Sequence, residues 1–227
     1  MKQEIYEGWE LKFFDNAKNF RSYQFSLIKN YLNGSVGEIG PGNGAFYDLY
    51  KNCVNSVHLY EPSKNFIHNL HKKKNHQTEI FNSYFIEKPK FYDAIIYMDV
   101  LEHIESDKNE IEKAFNSLKK GGKLIINVPA FSFLYSQFDK DIGHYRRYSK
   151  KSLNNLLTTF PFEEITMKYY DSIGFLLSFL SKKINKDYRK NFGTKIKIWD
   201  SLIPIAKFLD LLLINRFGKS LIVICTK

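Results

Sequence analysis

A chain of 227 residues that is 44% hydrophobic and 26% charged carries enough apolar content for one domain with a packed core, which excludes disorder as its main state. Its two cysteines, Cys53 and Cys225, stand far apart and outside any CxxC or CxxH pattern, so neither a disulfide scaffold nor a structural zinc site is expected and a reducing, cytoplasmic setting fits. The formal charge of +10 is unevenly spread: from Ser181 onward eleven Lys or Arg stand against three acids, a basic region suited to an anionic substrate, a nucleic acid or an anionic membrane surface.

The first residues lack an uninterrupted apolar segment behind a basic start, and no window reaches 18 apolar residues without a charge, so neither a signal peptide nor a spanning helix is expected. Through residue 33 the chain reads as helical, with Trp9, Phe13, Phe14, Ala17, Phe20, Tyr23 and Leu27 recurring at three and four, and Asn33-Gly34 is a natural stop. Short apolar runs then alternate with longer amphipathic segments: Ser35 to Ile39, Ser56 to Tyr60, Glu79 to Tyr84, Ala94 to Met98 and Lys123 to Val128. Connections of crossover length between them predict repeated βαβ units and a parallel sheet covered on both faces. After Pro129 the alternation stops. An aromatic and charged stretch, Phe131 to Tyr148, precedes a helix from Lys150 to Thr159, a strand from Glu164 to Tyr170, helices over 172–184 and 196–214, and a closing strand from Ser220 to Thr226. The run from Ile196 to Ile214 is the most membrane-like part, yet Lys197, Asp200, Lys207, Asp210 and Pro204 make it too polar to span. A helix pair packed on the core or roofing a site is expected ahead of an interfacial membrane helix.

The sharpest local feature is Val36-Gly37-Glu38-Ile39-Gly40-Pro41-Gly42-Asn43-Gly44-Ala45, a strand that ends in alternating glycines and enters a helix. Such a loop turns tightly at positive φ and lets backbone N–H groups approach a ligand at the carboxyl end of a parallel sheet. Gly40, Gly42 and Ala45 also satisfy the G-x-G-x-x-G/A dinucleotide fingerprint, so the loop alone leaves a nicotinamide cofactor, and with it an oxidoreductase, open beside other adenosine ligands. Glu61 ends the next strand where an acid meets ribose hydroxyls. Glu38, two residues before the first glycine, favours a ligand with cationic character.

At this point the residues resemble the class I S-adenosylmethionine-dependent methyltransferases, whose first motif is E-x-G-x-G-x-G. Tyr92 to Ile104, YDAIIYMDVLEHI, looks like the fourth-strand motif of these enzymes, D-x-I-x-x-x-D-V-L-E-H, and Lys119 to Pro129 looks like the turn and fifth strand that follow. The resemblance implies S-adenosylmethionine as cofactor and S-adenosylhomocysteine as product. It implies that the backbone of Gly40, Gly42 and Gly44 lies against the methionine part, that Glu61 holds the ribose, that Asn82 and Ser83 lie near the adenine, and that Asp99, Val100 and Leu101 line the cofactor and the reaction centre. Phe138 to Leu153 is similar to the D-x-x-x-G-H-x-R-R-Y-x-x-x-x-L segment of a bacterial subgroup often associated with cell-surface polysaccharide pathways. In the same subgroup an N-x-R/x-Y-like signature, matched by Asn19 to Tyr23, implies that Arg21 and Tyr23 close over the cofactor's carboxylate. The fold expected from these features is α/β: a Rossmann-like, seven-stranded, mostly parallel sheet with helices on both faces, its last strand antiparallel by resemblance. A single domain divides into a helical cap (1–34), a cofactor-binding core (35–130), an acceptor-side lid and strand (131–171), a helical insertion (172–218) and the last strand (219–227).

Methyl transfer from a sulfonium is an in-line displacement, so the protein must mainly orient the acceptor and exclude water, with no obligatory metal. His144 is expected as the substrate base or orienter and His103 as second candidate, both on the ligand-binding side of the sheet. Arg146 and Arg147 suit either an anionic group or a structural pairing with Asp139, Asp141 or a helix C-terminus, and Tyr145 belongs to an aromatic set able to stack on a sugar. His58, His68, His71 and His76 form no recognisable metal set, and no metal is expected. These features predict transfer to O or N of a small anionic or sugar-type acceptor, a glycan precursor of capsule or lipopolysaccharide biosynthesis. An RNA methyltransferase is an alternative, weakened because Asp99-Val100-Leu101-Glu102 stands where base-amine enzymes often carry N/D-P-P-Y/F, so nucleic acid is not the expected partner. A non-catalytic cofactor-binding partner protein is another. The basic, apolar insertion permits peripheral membrane contact, and the chain is expected as a monomer or homodimer.

Overall fold

In the computed structural model, which describes residues 8–184 and 187–227, the apolar runs of the first 130 residues lie side by side as parallel strands. They are β1 (Ser35–Ile39), β2 (Ser56–Tyr60), β3 (Thr78–Phe81), β4 (Tyr92–Met98) and β5 (Leu118–Pro129). With β6 (Glu164–Tyr170) and β7 (Ser220–Thr226) they form one sheet in the order β3-β2-β1-β4-β5-β7-β6. The last strand enters antiparallel between β5 and β6, with Val223 opposite Ile126 on one side and Met167 on the other.

The strands are rich in apolar residues at consecutive positions because both sheet faces are covered. On β4, Ala94, Ile96 and Met98 join one cluster of buried residues and Ile95 and Tyr97 the other. The first cluster takes Phe20, Tyr23 and Ile28 from α2 (Lys18–Ile28) and Trp199 and Ile203 from α9 (Phe192–Leu212). The second takes Ile111 and Ala114 from α5 (Asp107–Ser117) and Leu153 and Leu157 from α7 (Lys150–Leu157). β4 and β5 start earlier than their apolar runs because Tyr92 is fully buried, bonds to Tyr60 and His58 through its hydroxyl, and pairs with Leu118 across an irregular register. β3 stops at Phe81, where Asn82 turns its amide onto the carbonyls of Glu61 and Pro62.

The expected helix over the first 33 residues is broken. Residues 1–7 lie outside the described part, and from Leu11 the chain forms α1 (Leu11–Phe14), a corner, and α2. The corner is fixed by partners from elsewhere: Asp15 accepts from Asn43 at 2.9 Å, and the Asp200 carboxylate accepts from the amides of Asn19 and Phe20 at 3.3 and 2.9 Å. A helix start thus finds for its open N–H groups an acid from α9.

The second acid of that helix does the same for α8 (Ser172–Ile184): Asp210 accepts from the amides of Asp171 and Ser172 at 2.6 and 2.9 Å and from the Tyr23 hydroxyl at 2.9 Å. Both acids in the membrane-like run are therefore turned inward as caps. Of the basic region from Ser181 onward, Lys186 and the side chains of Lys182 and Lys183 lie outside the described part. No described helix is long and apolar enough to cross a membrane.

Candidate active site

At the carboxyl end of β1 the chain turns through Gly40, Gly42 and Gly44, whose φ values of 64°, 55° and 73° are left-handed. At Gly40 a Cβ would stand 2.8 Å from Val100 Cγ2, so the residue that follows β4 closes directly on the loop. Leu11 of α1 covers Gly42 from the other side, a contact the sequence did not signal. Glu61, almost fully buried, accepts from the amides of Gly42 and Ser63 at 3.0 and 2.8 Å. Burial raises its pKa against those two bonds. Asn82 braces the turn just after Glu61 through its backbone contacts, and the Ser83 hydroxyl next to it is buried without a hydrogen-bond partner.

Glu38 lies beneath the loop and accepts from the Tyr50 hydroxyl at 2.6 Å. Burial pushes its pKa up to about 7, with the Tyr50 bond and the Arg21 charge pulling the other way. Arg21 sends one guanidinium nitrogen to Gln24 at 2.9 Å and stands 3.7 Å from Asp99, while its Nε is buried without a hydrogen-bond partner. Asp99 itself takes a left-handed φ of 59°, accepts from Asn127 at 2.7 Å and keeps a side chain 37% exposed. Glu38, Arg21 and Asp99 thus present both signs of charge, with one donor unused, beside the glycine loop. This donor set fits a zwitterionic amino-acid group, and Glu61 fits a pair of ribose hydroxyls. Tyr23 does not join them, because its hydroxyl is spent on Asp210 behind α2.

Beyond Asp99, Val100 and the fully buried Leu101, a single 3₁₀ turn (Leu101–His103) exposes a second constellation. The rings of His103 and His144 meet edge to face with centroids 4.6 Å apart. His144 bonds through Nδ1 to Asp139 at 2.9 Å and turns Nε2 toward Glu102 Oε1 at 3.7 Å. Burial and the neighbouring His144 lower the His103 pKa to about 3, so its imidazole is neutral at physiological pH. Glu102 is fully buried and neither carboxylate oxygen has a hydrogen-bond partner; burial, then the Asp99 charge, holds its pKa well above the usual range. Burial acts upward on Asp139 too, yet the His144 bond and Arg147 outweigh it and keep the acid ionised.

The arginines expected to meet substrate are committed elsewhere. Arg147 is a two-pronged partner of Asp139, at 2.8 and 3.1 Å, because an acid with no exposed surface needs a guanidinium there. Arg146 bonds Asp107 at 2.7 Å and the Glu105 carbonyl at 2.8 Å, and Tyr145 points outward, 54% exposed, with Arg146 5.7 Å from its ring centre. Glu102 stands next to His103 in sequence and Asp139 five residues before His144, the signal by which the two acids of this cluster could be found.

Comparison with known proteins adds family and fold. The family described as a methyltransferase domain matches residues 14–166. No curated protein sequence matches the chain. Among solved structures, a SAM-dependent methyltransferase from Archaeoglobus fulgidus is 18% identical with a TM-score of 0.68, covering 99% of this chain and 100% of its own. A phosphoethanolamine N-methyltransferase from Haemonchus contortus, in complex with S-adenosyl-L-methionine, is 14% identical with a TM-score of 0.66 over 99% of this chain and 60% of its own. A SAM-dependent methyltransferase from Thermotoga maritima is 16% identical with a TM-score of 0.65 over 96% of this chain and 94% of its own. At such identities the likeness is one of fold.

Proposed function

The chain belongs to this methyltransferase-domain family, and we propose that it transfers the methyl group of S-adenosylmethionine to O or N of a small anionic or sugar-type acceptor, a glycan precursor of capsule or lipopolysaccharide assembly. The cofactor supplies a methyl group already activated on a sulfonium. The chain's own residues bind, orient and exclude water. Arg21 and Glu38 address the amino-acid end, Glu61 addresses the ribose with Asn82 bracing its turn, and Val100 and Leu101 wall the reacting centre.

The observation that carries the acceptor reading is the His103–His144 pair beside Glu102, a few residues past Asp99 and fixed by Asp139. A hydroxyl or amine must shed a proton as it is methylated, whereas a carboxylate has none to shed, so two clustered imidazoles favour a protic acceptor. With Arg146 and Arg147 held by acids, sugar hydroxyls are favoured over a phosphate as the primary handle. The similarity of the segment around His144 to the surface-polysaccharide subgroup supports the same choice.

The acceptor is carried at a membrane surface. Outward positions of α8 and α9 hold Leu176, Leu180, Ile205, Phe208, Leu211 and Leu212, all more than half exposed, with Lys197 and Lys207 exposed on the same helix pair. An apolar face with lysines matches an anionic lipid interface better than the uniformly polar face that RNA binding uses. Tritiated methyl from the cofactor should appear in at least one member of a panel of sugar nucleotides and lipid-linked glycans; label in none of them, with S-adenosylhomocysteine still bound, would favour a non-catalytic partner instead.

A further inference from the structure

Among the described residues, Glu102 is a fully buried acid with both carboxylate oxygens lacking a hydrogen-bond partner. Asp139, close by, is neutralised by Arg147 in a two-pronged pair and also serves the start of α6 (Gln137–Asp141), accepting from the Ser136 amide at 2.8 Å. Glu102 has no such counterpart: it is fully buried and neither oxygen receives a hydrogen bond. A buried acceptor left without a donor has lost its hydration with nothing in exchange, the more so when charged, so the position calls for a proton or a cation.

The surroundings favour a cation. One donor atom each from Glu102, His103 and His144 lies within 4.8 Å of the other two, and the His144 Nε2 to Glu102 Oε1 separation is 3.7 Å. An ion bonded at about 2.0–2.2 Å to imidazole nitrogen and carboxylate oxygen asks for donors roughly 3–4 Å apart, so the spacing needs only small side-chain adjustment. His144 is also prepared as a ligand is: its Nδ1 is tied to Asp139, Asp139 is tied to Arg147, and the free Nε2 faces the cluster. Metal-bound histidines are regularly oriented by such a carboxylate behind the ring. Two imidazoles with one carboxylate, all on one side, leave further coordination positions open.

We infer that Glu102, His103 and His144 bind one divalent first-row transition-metal ion, with an open position that takes the acceptor's reacting hydroxyl. The ion's role rests on the methyl-transfer reading above; the site itself does not. An acceptor hydroxyl on such an ion becomes a stronger acid and releases its proton to solvent. Its oxygen lone pair then forms the new C–O bond as the C–S bond breaks, with the bonding pair remaining on sulfur.

The test is a titration of the full metal-free chain with Co²⁺, read by visible absorption and by metal content after gel filtration. One Co²⁺ per chain with a visible d–d band is expected, and the band should be lost in Glu102→Gln and in His144→Ala. S-adenosylhomocysteine affinity, measured by calorimetry on each variant, reports that the fold is kept. No retained Co²⁺ in the wild type would overturn the inference, as would an unchanged band in a variant that still binds S-adenosylhomocysteine. Should either variant fail to fold, the other carries the comparison, and His103→Ala replaces both if neither folds. Because the readout needs no turnover, its failure leaves the methyltransferase reading intact. Failure of methyl transfer to every acceptor, with Co²⁺ bound, would reverse that outcome.

Discussion

Two halves of the fold, residues 35–101 around the glycine loop and residues 131–219 beyond β5, satisfy several of their buried polar groups differently. In the first, Glu61 is served by backbone amides of Gly42 and Ser63, and Glu38 by Tyr50 twelve residues on. In the second, beside the local Asp139–Arg147 pair, several partners are side chains or helix ends from elements remote in sequence: Tyr148 to Asp107 at 2.8 Å, Trp199 to Asp171 at 2.9 Å, and Asp210 to the start of α8. The first arrangement shapes a loop for a ligand; the second ties helices together. Polar substitutions in the first half should therefore show in binding, and in the second in stability.

The largest expected effect tests the second half. Arg147→Ala leaves the Asp139 charge with no exposed surface and only His144 and Ser136 to bond it. Removing one partner of a buried pair costs about 3–5 kcal/mol, read as a lower urea midpoint at an unchanged slope. Asp139→Asn with Arg147→Met should recover much of that loss, and failure to recover it would show that the pair's role is not electrostatic.

Glu38 is where the first half departs from the rule. Burial moves its pKa from 4.5 to about 7, so the folded state holds a proton that the unfolded state releases between those values. A raised carboxyl pKa contributes most at low pH, and stability falls as pH climbs from 4.5 to 7, levelling above. Glu38→Gln should then gain about 3 kcal/mol at pH 8 and flatten the curve through that window. The same acid ionised should favour the cofactor's ammonium, so wild-type S-adenosylhomocysteine affinity is expected to rise through pH 7 and the variant's not to.

Glu61→Ala comes next, and its effect should fall on binding. Loss of charge-assisted hydrogen bonds is worth about 1.5–3 kcal/mol, which is a ten- to hundredfold weaker S-adenosylhomocysteine affinity by calorimetry. A variant with unchanged affinity would remove Glu61 from the ribose and leave it a brace for the loop.

The two halves also differed in how much of them could be read from sequence. β1 and β2 are buried on both faces, with Val36, Ile39, Val57, Leu59 and Tyr60 marking them, and their ends coincide with the expected strands; β6, at the sheet's edge, and β7 were equally plain from β-branched and aromatic content. Glycine spacing marked the loop, since left-handed turns leave few residue choices. Helix breaks and ion pairing were not readable in this way. The corner between α1 and α2 depends on Asp200, some 180 positions later, and for Arg147 the sequence offers Asp139, Asp141 and a substrate anion alike, a choice that only the fold makes by burying Asp139 against it. Glu102 stood in plain view inside a motif, but only the fold brings His144 to it.

The smallest effect on stability concerns α9, where sequence and structure read the same residues differently. Asp200 and Asp210 made the run from Ile196 to Ile214 look too polar for a membrane, yet both acids face inward as caps for α2 and α8. What remains outside is apolar: Phe208 is 62% exposed and Leu212 63%. Side chains already in water contribute little to folding, so Phe208→Ser with Leu212→Ser should shift stability by no more than about 0.5 kcal/mol. The same pair should lose most binding to vesicles containing anionic lipid, measured by co-sedimentation, while S-adenosylhomocysteine affinity stays unchanged. If binding persists but falls with salt, the lysines alone hold the protein at the surface. If the double variant unfolds readily, the face is covered in solution and a second copy of the chain, seen as a concentration-dependent mass, is its partner.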